Sequence, residues 1–142
     1  MQNRTLIKQI TGTIALSIAA TFPVAAADIT LKINKVYDKG GEIRIAVYES
    51  EQSFDKKPVR SIAVPAVQGE MLIPITGLPA GQYGIMLFHD TNGNEEFDTN
   101  LLGIPKEYWS ASLEGSTVIG RPGWSDVVFD LPEDGKTVAV NF

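Results

Sequence analysis

The sequence contains no cysteine, which excludes disulfides, thiolate metal sites and a cysteine nucleophile together. It has a single histidine, His89, so multi-histidine metal centres are excluded as well. Bases are the minority charge: 12 Lys and Arg face 17 Asp and Glu, for a net charge of −5. That balance argues against nucleic acid or anionic lipid as a partner. Beyond the N-terminal segment no stretch keeps a helical period, and there is neither an internal repeat nor a low-complexity run.

The first 27 residues read as an address. Arg4 and Lys8 form a basic start, residues 10–24 are apolar and uncharged, and Ala25-Ala26-Ala27 supplies the small residues of a cleavage site ahead of Asp28. The apolar part is too short and too rich in Thr, Ser and Gly for a membrane span, which needs about 20 apolar residues. A cleaved signal peptide of residues 1–27 is expected, and with it a periplasmic or secreted protein. The remaining residues 28–142 suffice for one domain. All 17 acids but only 10 of the 12 bases lie in this part, giving it a net charge of −7.

From Asp28 onward apolar residues recur at every second position between turn signals, the pattern of half-buried strands. Ile29, Leu31 and Ile33 make one apolar face, and Ile43, Ile45 and Val47 the next. Residues 49–60 look like a connection between sheets. Ile62 and Val64 precede Pro65, while Met71, Ile73 and Ile75 flank Pro74; a proline lacks the N–H a ladder needs, so both segments belong at sheet edges. Residues 83–88 are apolar on both faces, as a central strand covered on both sides would be. Residues 99–124, with four glycines and two prolines, look mostly irregular. Val127, Phe129 and Leu131, then Val138, Val140 and Phe142, resume the alternation. About seven such strands predict an all-β, antiparallel sandwich.

Two motifs sharpen this. The turn Gly77-Leu78-Pro79-Ala80-Gly81-Gln82-Tyr83 resembles a corner of transthyretin-like and immunoglobulin-like sandwiches. The block His89-Asp90-Thr91-Asn92-Gly93-Asn94, then Phe97-Asp98-Thr99-Asn100, then Leu102-Gly103-Ile104-Pro105-Lys106-Glu107, resembles the secreted bacterial family called Domain of Unknown Function 2141. The resemblance implies a sandwich over most of residues 28–142 and assigns no function.

The acidic block has its own chemistry. Asp90, Asn92, Asn94 and Asp98 stand at positions 1, 3, 5 and 9 of a calcium-type loop, and Glu96 at position 7 has a carbonyl to offer. A tight backbone points alternate residues at one centre, where calcium needs six to eight oxygens. An EF-hand is excluded, because Glu95 and Leu101 hold the positions of its glycine and its bidentate glutamate. Glu107 could supply a later carboxylate only if the chain folds back. The competing reading is an Asn92-Gly93 hairpin turn with Asp90 and Asn94 bonding nearby N–H groups. That reading leaves the loop's four acids without a counter-charge, so calcium is the expected cofactor.

By strand alternation His89 shares the face of Tyr83, Ile85 and Leu87, opposite Asp90, and is expected to be structural. Tyr108, Trp109, Arg121 and Trp124 lie in or beside the irregular segment. They are expected either to form a ligand surface for a protein, peptide or glycan, or, for the tryptophans, to cap an open end of the core. The resulting expectation is a non-catalytic binding or accessory module with a calcium-like loop. The alternatives are a hydrolase using residues 104–124 as a pocket wall and an envelope protein assembling through an edge strand.

Overall fold

The computed structural model describes residues 26–142 apart from 39, 115–117 and 119. The expected signal segment therefore lies, but for Ala26 and Ala27, outside the described residues. The strands are β1 (Ala26–Val36), β2 (Glu42–Tyr48), β3 (Arg60–Pro65), β4 (Gly69–Pro79), β5 (Gly81–Asp90), β6 (Trp109–Ala111), β7 (Val128–Leu131) and β8 (Lys136–Val140), with one helical turn, α1 (Trp124–Val127). They form two sheets, ordered β4-β1-β8 and β3-β2-β5-β6. β7 also pairs with β5. The last position of the second sheet is thus shared: β7 pairs with residues 81–84 of β5 and β6 with residues 86–88.

The period-two pattern explains the core. Ile29, Leu31, Ile33, Ile75 and Val138 from the first sheet meet Ile43, Ile45, Val47, Ile85, Leu87 and Phe129 from the second, all buried. Each aliphatic side chain fully removed from water contributes about 1.5–3 kcal/mol before entropy is set against it. Tyr83 closes the corner motif by donating its hydroxyl to the carbonyl of Pro79 at 2.9 Å, the contact of a tyrosine corner.

The all-β sandwich is present, with one parallel pair, β1 with β8, among antiparallel ones. Both proline-marked strands, β3 and β4, are sheet edges, and β5 is central. One expectation needs correction. Residues 49–59 do not cross between sheets, because β2 and β3 pair directly with each other. The segment 99–124 is mostly irregular, as expected, and holds only β6 and the start of α1, elements too short for any periodicity to reveal. Among the described residues the strands number eight against the expected seven or so, since the fourth position of the second sheet is split. Among the described residues no helix is long and apolar enough to cross a membrane.

Candidate functional site

The outward faces of the two sheets differ. On the first, Lys32 bridges Glu70 at 2.8 Å and Asn34 bonds Asn141 at 3.0 Å, an ordinary solvated surface. On the second, strand register sets two ranks of side chains across the sheet. One runs Ala63, Arg44, Phe88, Trp109, and the other Ser61, Ala46, Met86, Ala111. Here the apolar second face of residues 83–88 is covered by loops, residues 97–105 and 120–122, rather than by another layer. Between loops and sheet lies an open groove of about 810 Å³. That size lies within the range of small-molecule sites.

The groove has a distinct end at each side of its floor. At one, Arg121 pairs with Asp55 beside Tyr48. Burial and the charge of Asp55 push the Tyr48 hydroxyl above its ordinary pKa, although Arg121 opposes them, so it stays neutral at physiological pH. At the other end stands Arg44, with the acidic loop behind it.

That loop is tied down donor by donor. Asp90 is fully buried and accepts the N–H groups of Gly93 at 2.7 Å and Glu95 at 3.0 Å, together with Arg44 Nε at 2.9 Å. Burial alone would raise its pKa; the two backbone N–H groups and Arg44 outweigh it and hold the carboxyl below its ordinary value. Arg44 also reaches Glu42 at 2.9 Å and Glu95 at 3.2 Å. Desolvation works against its charge, but the bond to Asp90 and the charges of Glu95 and Glu42 prevail and raise its pKa. Arg44 is therefore the counter-charge that the loop's own sequence lacks. Glu42 and Asp90 face each other directly across β2 and β5, a repulsive pairing unless a cation sits beside both.

The rest of the loop is bonded in the same manner. Asn92 Oδ1 accepts the N–H of Asn94 and Asn94 Oδ1 that of Glu96, both at 3.0 Å. Their amide groups donate to Asp98, at 2.7 and 3.1 Å. Glu95 takes a left-handed φ of 66° at the sixth loop position, where an EF-hand has glycine. Glu107 does fold back: nearly buried, it accepts the N–H groups of Thr91 and Asp98, both at 3.2 Å. Residues 98–106 then form a small hairpin arm, closed by Lys106 N–H to the Asp98 carbonyl at 2.9 Å. Phe97 at its base packs on Phe88 with ring centroids 5.4 Å apart. The acidic loop and Glu107 together fasten the arm that walls the groove. Gly41 lets this happen, because a Cβ there would stand 2.1 Å from the Asp90 carbonyl oxygen.

A family model described as "Uncharacterized protein conserved in bacteria (DUF2141)" matches residues 31–139. The chain belongs to this family. The match takes in the acidic loop, the arm and every residue of the groove floor. No curated protein and no solved structure matches the chain.

Of the residues singled out from sequence, Asp90, Asn92, Asn94 and Asp98 come together in one hydrogen-bonded loop, while Glu96 is exposed and contributes its N–H. Among the described residues no three His, Cys, Asp or Glu side chains form a metal-ligand group. The aromatic set divides. Trp109 and Arg121 line the groove. Trp124 packs on Phe54, centroids 5.9 Å apart, and lies over Gly84, where a Cβ would come within 3.0 Å of its ring. Neither tryptophan enters the core between the sheets; the aromatic at the open end is Tyr108, stacked on Tyr37 at 5.2 Å and near Phe142. His89 is structural as expected: it is fully buried and its Nε2 donates to the Gly40 carbonyl at 2.7 Å. Its Nδ1 has no partner among the described residues.

Sequence reasoning missed Arg44 and the floor residues Met86, Ala46 and Ala63. Their signal was present in part: residues 83–88 are apolar on both faces, and the sequence after Asp28 shows no sustained helical period to supply a layer over the second.

Proposed function

We propose that the protein is an exported, non-catalytic binding module that takes its ligand in the groove on the outer face of the β3-β2-β5-β6 sheet. The observation that carries this reading is the contrast between the two outer faces, one tied by an ion pair and a side-chain hydrogen bond around a single large exposed aliphatic, Leu72, the other floored by Ala46, Ala63, Met86, Phe88 and Trp109 under covering loops. A contiguous apolar surface left open under loops is ligand- or partner-binding material. A hydrolase reading is less well supported, because His89 is sealed in the core and Asp90 is committed to three donors. Assembly through the edge strands is weakened by Pro65 and Pro74 in two of them.

The test uses the two tryptophans, both on the groove's side of the sandwich. Saturable binding of Nile red, a neutral apolar dye, is expected to shift their emission. Ala63→Trp should block it, while Thr30→Trp on the polar sheet should not. Equal binding by both variants would remove the groove from the reading.

Export rests on Arg4, Lys8 and the apolar residues 10–24. Cleavage ahead of Asp28 trims from β1 only Ala26 and Ala27, which pair with Pro79 and Leu78. Mass spectrometry of protein recovered from the periplasm or medium should find Asp28 at the N-terminus; an intact leader would count against export by this route.

A second reading adds calcium at Asp90, Asn92, Asn94, Glu96 and Asp98. It is favoured by the Asx turns, the left-handed Glu95 and the folded-back Glu107, which together draw side-chain oxygens around one loop. Calcium would have to displace the Asn92 and Asn94 amides from Asp98. At 100 times its Kd a ligand of the folded state adds about 2.7 kcal/mol. A calcium-dependent rise in Tm over chelator, lost in Asp98→Ala, is the expected result, and no rise at millimolar calcium refutes it.

A further inference from the structure

We infer that the groove takes a long-chain carboxylate, its aliphatic tail lying across the Ala46, Ala63 and Met86 floor and its carboxylate meeting Arg121. This deepens the binding-module reading and rests on it. Three independent features point to that chemistry.

The first is the floor itself. Small side chains at Ala46, Ala63 and Ser61 on β2 and β3 leave a shallow channel beside the larger Met86, Phe88 and Trp109 of β5 and β6. Besides the charged Arg44, Asp55 and Arg121 at its ends, the lining hydroxyls are those of Ser61, Thr99 and Tyr48, so most of the floor between the ends is apolar, as an aliphatic tail requires.

The second is the rim. The arm ends in Leu101, Leu102 and Ile104, exposed by 105%, 83% and 55%, and its Thr99, Gly103 and Pro105 line the groove. Large aliphatic side chains left in water beside an apolar channel gain by closing over an apolar tail, at about 25 cal/mol per Å² removed from water.

The third is charge. The chain is acidic overall, at −5, yet the groove is lined by two arginines, Arg44 and Arg121, against one carboxylate, Asp55. Overall charge works against anions at long range, so an anionic group in the groove has to be held by direct short-range bonds. Arg44 is already engaged by Glu42, Asp90 and Glu95. Arg121 is 69% exposed and has Asp55 as its partner among the described residues, which leaves guanidinium donors for a carboxylate.

The experiment is displacement of cis-parinaric acid from the purified protein by dodecanoate, dodecanol and dodecyltrimethylammonium, all below their micelle concentrations. Dodecanoate should displace the probe at roughly tenfold lower concentration than dodecanol, the value of one charge-assisted hydrogen bond. Arg121→Gln should erase that difference by weakening displacement by dodecanoate. Ala63→Trp, on an edge strand, should abolish displacement by both, with an unchanged circular dichroism spectrum. Equal displacement by dodecanoate and dodecanol overturns the carboxylate assignment but leaves the groove as an apolar site. No saturable binding of parinarate or of Nile red overturns both readings.

Discussion

Removing the Asp90 carboxylate is the sharpest probe of how the acidic loop is held. Asp90→Ala takes one acceptor group from three donors, the N–H groups of Gly93 and Glu95 and the Nε of Arg44. A hydrogen bond to a charged group contributes about 1.5–3 kcal/mol when its partner is lost in a buried setting. Gly93 and Glu95 are exposed, so water recovers part of their loss, and Arg44 keeps Glu42 and Glu95. The expected cost is about 3–4 kcal/mol, which for a domain of this size lowers Tm by roughly 10–20 °C. Thermal unfolding followed by circular dichroism measures it directly. A variant within about 1 kcal/mol of the parent would refute the claim that Asp90 organises the loop. Acid unfolding gives a second view. The folded-state pKa of Asp90 lies below its ordinary 3.8, so ionised Asp90 contributes stability that is fully present above that value. The contribution is lost as pH falls through the lower, folded pKa. Asp90→Asn should be less stable at neutral pH and should show a flatter loss of stability below about pH 4.

Two further substitutions test the parts around the groove. Glu107→Gln turns an amide toward one of the N–H donors of Thr91 and Asp98, and should cost about 1–2 kcal/mol with faster hydrogen exchange at those two amides. Unchanged exchange would mean the arm is held by its own hairpin alone. Gly84→Ala brings a Cβ to 2.8 Å from Val127 Cγ2 and 3.0 Å from Trp124 Cζ3, so it should cost about 1–3 kcal/mol and shift tryptophan emission as Trp124 is displaced. A parent-like spectrum and stability would show that Trp124 is not packed on β5.

What the sequence determined by itself follows from periodicities and backbone chemistry that act locally. Alternation chose the inward residues Ile29, Leu31, Ile33, Ile43, Ile45 and Val47 because successive strand side chains point to opposite faces. The missing N–H of Pro65 and Pro74 put β3 and β4 at edges, and the two-faced apolarity of residues 83–88 put β5 at the centre. The buried His89 was legible on the same grounds, whereas the corner tyrosine was legible only through the resemblance of residues 77–83 to known sandwiches. Tertiary structure decided what depends on residues far apart in the chain. Arg44 lies 46 positions from Asp90, and only the pairing of β2 with β5 brings a cation to a loop that has none of its own. β6 is three residues long, too short for a pattern, and exists because β5 offers it an unpaired edge. The groove has no motif at all. It arises because two ranks of side chains from four strands, small or apolar apart from Arg44, align in register under loops that do not fill the space above them.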